Sequence, residues 1–555
     1  MSGERLIYLP LGGAGEIGMN AYVYGYGRPG HERLIVVDLG VTFPDMDTSP
    51  GVDLIMADVA WLAERRDRIE AVFVTHAHED HVGAVGLLWD RLRAPIHARR
   101  FTASIAARKL EENGAPTSGL HVVEPWPQTV EAGPFRVGFL PLSHSIPESA
   151  GLVIDSPAGR VLHTGDYKID LTPVVGEPFD SALWEKASQG GVKALVCDST
   201  NVFSLNPGRS EATLAPEIEG LFRDATGMVV ATTFASNVAR VKTLADAAVA
   251  AGRSVCLLGR AMRRMVETAQ ETGLLTDFPS TISPEEAADL PRQNVCLLVT
   301  GSQGERRAAS AQLAQQTYLG LKLSEGDTFL FSSKIIPGNE RGVIKVMNQL
   351  SEKGVTVIYE ETGRYHVSGH ANRPDLMAMH RIVQPQMLIP MHGEHRHLSE
   401  HVRLGAESGL TGIVATNGMM IDLTGDRPQV AEYIDAGRTY LDGSVFIGAM
   451  DGVIRDRIRM SLNGHVMVTL ILDEKDEPLG DVWCEVMGLP ETGRSKAPLV
   501  DVLEEDLSQF VGRAKRGTLR DEEGLDKELR RIARQTAQNE IGKKPEVTVV
   551  VSRLS

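Results

Sequence analysis

The 555-residue chain is poor in several features that would point to whole classes of function. It has only four cysteines, Cys197, Cys256, Cys296 and Cys484, scattered and without CxxC spacing. That excludes a disulfide scaffold and a cysteine-rich zinc site. No apolar run is long enough to span a bilayer. The N-terminus, MSGERLIYLP, carries charges where a secretory signal needs an apolar stretch. The expectation is a cytoplasmic protein with no membrane segment. There is no excess of positive charge either. The formal net charge is −16, without the overall basic footprint of many nucleic-acid binders. A local groove or bound cations can still supply positive charge where a phosphate needs it. Repeats and low-complexity tracts are absent.

What is present is a globular composition, 42% hydrophobic and 23% charged, on a chain long enough for two to four domains. Residues 1–212 read as α/β. Leu34–Leu39 (LIVVDL), Ala71–Thr75 (AVFVT), Val161–Asp166 (VLHTGD) and Ala194–Asp198 (ALVCD) are apolar runs ending in polar residues. Such strand ends are rigid places to put chemistry. Residues 213–369 alternate five further strand patterns, the last at 355–360, with helical segments such as Asn237–Ala251, a parallel α/β pattern. Residues 370–435 contain QMLIPM, a strand ending at a histidine cluster. Residues 436–455 read as a linker and 456–555 as a small α/β domain. Its charged segment, about 502–540, reads as helix with a solvated face.

Gly13, Gly15 and Gly18 in LGGAGEIG satisfy GxGxxG. A dinucleotide site requires a helix next. The following MNAYVYG alternates like a strand, so a glycine-rich turn in a hairpin is expected instead.

The strongest signal is THAHEDHVG, which places His76, His78, Asp80 and His81 within six residues after an apolar strand. Imidazole and carboxylate are natural zinc ligands. A solvated His-rich loop would have no partners elsewhere, yet His144, Asp166 and His392 each end an apolar run. Asp38, in VVDLG, is a further buried acid.

HxHxDH followed by a lone His and then GD resembles the metallo-β-lactamase superfamily signature. The resemblance implies that His76, His78 and His144 hold one zinc and that Asp80, His81 and His392 hold a second. Asp166 would bridge them, and Asp38 would orient the loop. Two metals about 3.5–4 Å apart suit phosphodiester hydrolysis. The signature alone leaves lactams, thioesters and phosphonates open.

CDSTN (Asp198), HVSGHA (His370) and His392 resemble the three motifs of the β-CASP nucleases. His370 and Asp198, with Asp80, are the expected catalytic residues. TTFASN, GSQGE, SSKIIPGNE and the GGAGEIG opening further resemble the ribonuclease J family across nearly the whole chain. The implied fold is an αββα metallo-β-lactamase sandwich with an inserted β-CASP domain and a small α/β C-terminal domain. The implied activity is a 5′→3′ exonuclease with two zinc ions per subunit, acting on 5′-monophosphate RNA in maturation and decay, with endonuclease action left open. RNA contacts are implied at Ala235, Ser236, Asn237, His366, Val367, Ser368, Gly369 and His370, including a 5′-phosphate pocket. A homodimer or homotetramer, RNA-degradation partners and a structural calcium near Asp442 are also implied. Two positions depart from the family pattern: Arg306 follows GSQGE in place of proline, and His395 replaces tyrosine in HGEHR. DNA-processing β-CASP enzymes and a non-catalytic scaffold are the competing readings. The intact ligand set weighs against the second.

Overall fold

A computed structural model describes residues 3–359 and 363–554. The chain forms two compact units, Met1–Thr42 with Met56–Arg438, and Phe43–Ile55 with Thr439–Ser555.

In the first unit two sheets lie face to face. One has eight strands and includes Arg5–Gly12, Ala21–Gly27, Arg33–Val37 and Ile69–Val74. The other has seven and includes Phe135–Pro141, Ala150–Ser156, Gly159–His163, Ala194–Asp198 and Met387–Met391. Their inner faces meet through Tyr8, Tyr24, Ile35 and Phe73 from one side and Phe139, Leu152, Ile154, Val196 and Ile389 from the other. Each such fully buried side chain contributes roughly 1.5–3 kcal/mol relative to an exposed one. Strands buried on both faces lose the apolar–polar alternation of a surface strand. Hence Ala194–Asp198 and Met387–Met391 are buried throughout. The second sheet is covered on its outer face by Leu376, Met379 and Val383 of helix Arg373–Val383 and by neighbouring helices. Helices Val85–Leu92 and Arg100–Glu112 flank the first sheet. This is the expected αββα sandwich.

The inserted layer is a five-stranded, wholly parallel sheet in the order Ser254–Leu258, Val295–Val299, Val229–Thr232, Thr328–Phe331, Thr356–Tyr359. Of the last strand expected at 355–360, Glu360 lies outside the described residues.

The second unit contains a three-stranded sheet in which His465–Leu472 lies between Trp483–Met487 and Glu546–Arg553. Here alternation is visible: Val466, Val468, Leu470 and Leu472 are buried against Leu503 and Leu507 of one helix and Leu525 and Leu529 of another. The charged segment is therefore amphipathic, with a leucine stripe under its solvated face. The stretch read as a linker carries a hairpin, Arg438–Asp442 against Val445–Gly448.

What positions the chemistry is strand polarity. Gly159–His163, Ala194–Asp198 and Met387–Met391 run parallel as neighbours, with Asp198 in register with Met391. In the facing sheet Arg33–Val37 runs parallel to Ile69–Val74. Asp166, Asp198, His392, Asp38 and His76 all sit at or just beyond the carboxyl ends of these strands.

Candidate metal centre

The glycine-rich opening forms no helix. Strand Arg5–Gly12 returns as antiparallel strand Ala21–Gly27, so the segment is a hairpin turn and a dinucleotide site is excluded. The turn serves the centre instead. A Cβ on Gly13 would lie 2.0 Å from Asn20 Oδ1, and the Gly13 carbonyl accepts a 2.7 Å bond from His392 N–H.

Three imidazole nitrogens converge at one point. His78 Nδ1 lies 3.2 Å from His76 Nε2 and 3.1 Å from His144 Nε2. A second set gathers beside it: His81 Nε2 is 3.2 Å from Asp166 Oδ2, and His392 Nε2 is 3.2 Å from Asp80 Oδ2. Asp166 Oδ2 is also 4.0 Å from both His76 Nε2 and His144 Nε2, so one carboxylate oxygen faces both sets.

The outer nitrogens explain why the inner ones point inward. His144 Nδ1–H donates to Gly369 O at 2.6 Å and His81 Nδ1–H to Asp38 Oδ2 at 2.8 Å. Thr75 Oγ1, 3.0 Å from His76 Nδ1, donates its own proton to Asp38 Oδ2. Thr200 Oγ1, 2.9 Å from His392 Nδ1, donates to Asp198 Oδ1. At these four residues an acceptor on Nδ1 fixes the neutral tautomer whose Nε2 lone pair faces the centre, whereas His78 turns its Nδ1 inward. Asp38 and His392 both hold left-handed backbone, φ 62° and 49°. Non-glycine residues carry such strain mainly where the surroundings fix it, often at functional sites.

Metal-free electrostatics agree with this division. Burial, then the neighbouring imidazoles, pushes His76 well below its ordinary pKa. Burial outweighs nearby Asp80 and Asp166 at His78, which falls to about 4. Burial also opposes charge on His392, but Asp166, Asp198 and Asp80 outweigh it and raise its pKa to about 10. At Asp166 burial raises the pKa and the imidazoles of His392 and His81 overcome it, leaving it at about 2.

These residues fit a divalent metal. Lone pairs facing each other at 3.1–3.2 Å repel unless a cation or proton lies between them. Asp166 Oδ1, the other oxygen of the carboxylate that faces both sets, is buried and has no hydrogen-bond partner among the described residues. Such a group is costly unless something compensates it.

Beside this centre, His370 Nδ1–H donates to Asp198 Oδ2 at 2.8 Å. Burial opposes charge on His370, yet Asp198 and Asp166 raise its pKa above the ordinary value. Asp198 thus connects two imidazoles, His370 directly and His392 through Thr200.

The residues expected to contact RNA lie on two segments. The Asn237 side chain accepts from Arg240 N–H at 3.0 Å and caps helix Val238–Ala250, with Ala235 and Ser236 half-buried just before it. Ser368 Oγ accepts from Asn201 Nδ2 at 2.8 Å, Gly369 O holds His144, and Val367 is buried. Part of each segment's polar capacity is thus spent on structure. Asp442 lies in the second unit, its carboxylate accepting a 2.6 Å bond from Arg457. Sequence reasoning gave no role to Asn20, whose Nδ2 lies 3.0 Å from His81 Nε2, nor to Thr75, Thr200, Asn201 or Arg240. Thr200 and Asn201 stand inside CDSTN, so position next to Asp198 was an available signal.

The chain matches family models described as "Metallo-beta-lactamase superfamily" over 15–195 and "Ribonuclease J, beta-CASP domain" over 226–350. It also matches "Zn-dependent metallo-hydrolase RNA specificity domain" over 354–415 and "Ribonuclease J C-terminal domain" over 452–554. It is 40% identical to Ribonuclease J of Sinorhizobium meliloti, covering 99% of this chain and 98% of that one. It is 38% identical to Ribonuclease J of Corynebacterium glutamicum, covering 84% of this chain and 64% of that one. A crystal structure of a protein of unknown function from Enterococcus faecalis V583 superposes with a TM-score of 0.52 at 14% identity, over 75% of this chain and all of that one, a likeness of fold alone. No helix among the described residues is long and apolar enough to cross a membrane. The identity over essentially full length places the chain in the ribonuclease J family, and it is a metal-dependent ribonuclease of the metallo-β-lactamase superfamily.

Proposed function

We propose that the chain degrades RNA in the 5′→3′ direction with two zinc ions per subunit, prefers 5′-monophosphate ends, and cleaves internally as a second mode. The observation that supports this reading is two neighbouring donor sets, His76–His78–His144 and Asp80–His81–Asp166–His392, with Asp166 Oδ2 4.0 Å from His76 and His144 Nε2 and the Asp198–His370 pair alongside. In it, His76, His78 and His144 hold one zinc, Asp80, His81 and His392 the other, and Asp166 both. A sulfur-free set dominated by imidazole suits zinc. The ions would supply an activated water and positive charge against the scissile phosphate.

The chain's own groups supply the rest. Asp198 holds the His370 ring by Nδ1 and favours its protonated form, so Nε2–H can give its proton to the departing 3′-oxygen. Breaking the P–O3′ bond releases a nucleotide and leaves a 5′-phosphate on the remaining RNA. That new end is the same kind of end the enzyme prefers, so one turnover prepares the next. Ala235, Ser236, Asn237 and His366 through His370 would hold the terminal phosphate and first nucleotides through backbone N–H, hydroxyl and imidazole donors. Positive charge held at the centre also reconciles a net charge of −16 with a polyanionic substrate.

The same reading takes the enzyme as a cytoplasmic homodimer or homotetramer acting in RNA maturation and decay, with RNA-degradation partners. A structural calcium at Asp442 would have to displace the Arg457 guanidinium.

The test follows one RNA, labelled at its 3′ end and carrying either a 5′-monophosphate or a 5′-triphosphate. Release of mononucleotides only from the monophosphate form supports the reading. Internal fragments regardless of the 5′ end, with no mononucleotide release from the monophosphate form, overturn the directional part.

A further inference from the structure

Arg240 is fully buried, and no role in the chemistry above uses it. Its guanidinium pairs with Glu211, also buried, through Nε and through Nη2 at 2.9 Å. A buried ion pair persists only when its remaining hydrogens are also satisfied. Here they are spent on one place. The two Nη1 hydrogens are shared among four acceptors, Ser332 O at 2.6 Å, Ser332 Oγ at 3.1 Å, His366 Nδ1 at 3.3 Å and Tyr365 O at 3.4 Å. Ser332 Oγ–H in turn donates to Tyr365 O at 2.7 Å. Arg240 also stands on the first turn of the helix capped by Asn237. One side chain therefore joins three of the sequence segments shared with the family: the 232–237 turn, the 332–340 segment and the 366–370 loop.

A guanidinium has five donors and no acceptor, so His366 Nδ1 can only accept from it. The ring proton then resides on Nε2. Among the described residues, Nε2 has no hydrogen-bond partner and is not enclosed. We propose that Arg240 is a positioning residue for the 5′-end pocket, locking His366 into the tautomer that offers Nε2–H as a neutral donor to the terminal phosphate. The proposal rests on the 5′-monophosphate reading given above.

The charges facing the ring are consistent with neutrality. Burial, then Arg240, Lys334 and Lys168, lowers the His366 pKa well below its ordinary value. Lys168 is itself paired with Asp170 at 3.0 Å, and the Arg240 charge is matched by Glu211. A donor that does not titrate near neutrality binds a phosphate whose own charge changes around pH 6 without losing its proton.

Two substitutions at His366 separate its nitrogens, because glutamine places an N–H donor where Nε2 stands and asparagine places one where Nδ1 stands. The readout is the ratio of kcat/KM for 5′-monophosphate RNA over 5′-hydroxyl RNA of one sequence. His366→Gln should retain most of the ratio. His366→Asn should lower it about tenfold to a hundredfold, the weight of one hydrogen bond to a charged group. Arg240→Lys keeps the charge but not the fork, and should lower the ratio similarly while thermal unfolding by circular dichroism stays cooperative. If Arg240→Lys does not fold, the two His366 variants decide. In parallel, 15N spectra of histidine-labelled wild-type protein, assigned by the signal lost in His366→Gln, should show a neutral ring protonated on Nε2. A proton on Nδ1, or equal ratios in the Gln and Asn variants, overturns the proposal. A wild-type ratio near one alongside the Nε2–H tautomer instead overturns the 5′-end reading, and the positioning role with it.

Discussion

Replacing Asp38 with asparagine changes one proton-holding group at the back of the centre and leaves the shape almost untouched. Asp38 accepts three bonds: from Thr75 N–H at 2.7 Å, Thr75 Oγ1–H at 2.8 Å and His81 Nδ1–H at 2.8 Å. An asparagine can keep the first through its oxygen. Its NH2 then meets the His81 Nδ1–H donor to donor. His81 must turn away or move its proton to Nε2, and either removes one lone pair from the Asp80–His81–His392 set. A charge-assisted hydrogen bond is worth about 1.5–3 kcal/mol, or roughly 10- to 150-fold in a binding constant. The range agrees with the ~10–100-fold loss typical of removing a partner behind a metal ligand. Backbone strain does not confound the test, because asparagine tolerates the left-handed φ of 62° at this position. Competition with a fluorescent chelator should show the Asp80–His81–His392 site weakened by that factor and the other site, which Asp38 reaches only through Thr75 and His76, weakened less. Added zinc should restore cleavage. Two sites of wild-type affinity would refute the reasoning that Asp38 sets the His81 tautomer.

Four further outcomes follow from the same geometry. His370→Gln should lower kcat by about 10²–10⁴, the usual worth of a general acid, with metal content unchanged; a matching loss of metal would make His370 a ligand instead. Asp80→Ala with His81→Ala should abolish cleavage while circular dichroism stays native-like. Metal binding should release protons at neutral pH. Metal-free His392 is held above its ordinary value, at about 10, and is charged there, whereas a ligand must be neutral; affinity should therefore fall as pH falls. Calorimetry in buffers of different ionisation heat measures the release, and none would contradict the assignment of His392. In the second unit, Leu503→Ala removes a fully buried side chain and should cost about 2–5 kcal/mol, read from that unit's unfolding transition.

The sequence made the candidate ligands legible because chemistry constrains their types tightly. His76, His78, Asp80 and His81 crowd one strand end, and solvent-exposed loops have no use for that pattern. His144, Asp166 and His392 could be chosen because each ends an apolar run, and a strand end is where a rigid scaffold meets a free side chain. The tautomer-setting partners were not legible. Thr75, Thr200 and Asn20 are ordinary polar residues whose roles depend on contacts made across the fold, such as the 192-residue separation between Thr200 and His392. Arg240 was hidden for the same reason: nothing in FASNVARV tells a buried fork from a surface arginine. The glycine pattern shows the opposite case. GxGxxG was readable, but its meaning turned on the element that follows, and strand Ala21–Gly27 decided it. The hairpin Arg438–Asp442 and Val445–Gly448 was missed because Asp442 and Gly443 read as linker chemistry, when Asp442 ends a strand paired with Val445 and Gly443 and Ser444 form the turn.

The central claim is that seven side chains hold two metal ions sharing one carboxylate. Anomalous diffraction at the zinc edge, on crystals of the wild-type protein, tests it most directly. Two peaks about 3.5–4 Å apart are predicted, as in other two-metal hydrolytic sites, one among His76, His78 and His144 and one among Asp80, His81 and His392, both adjoining Asp166. A single peak, or two peaks not shared by Asp166, would contradict the account.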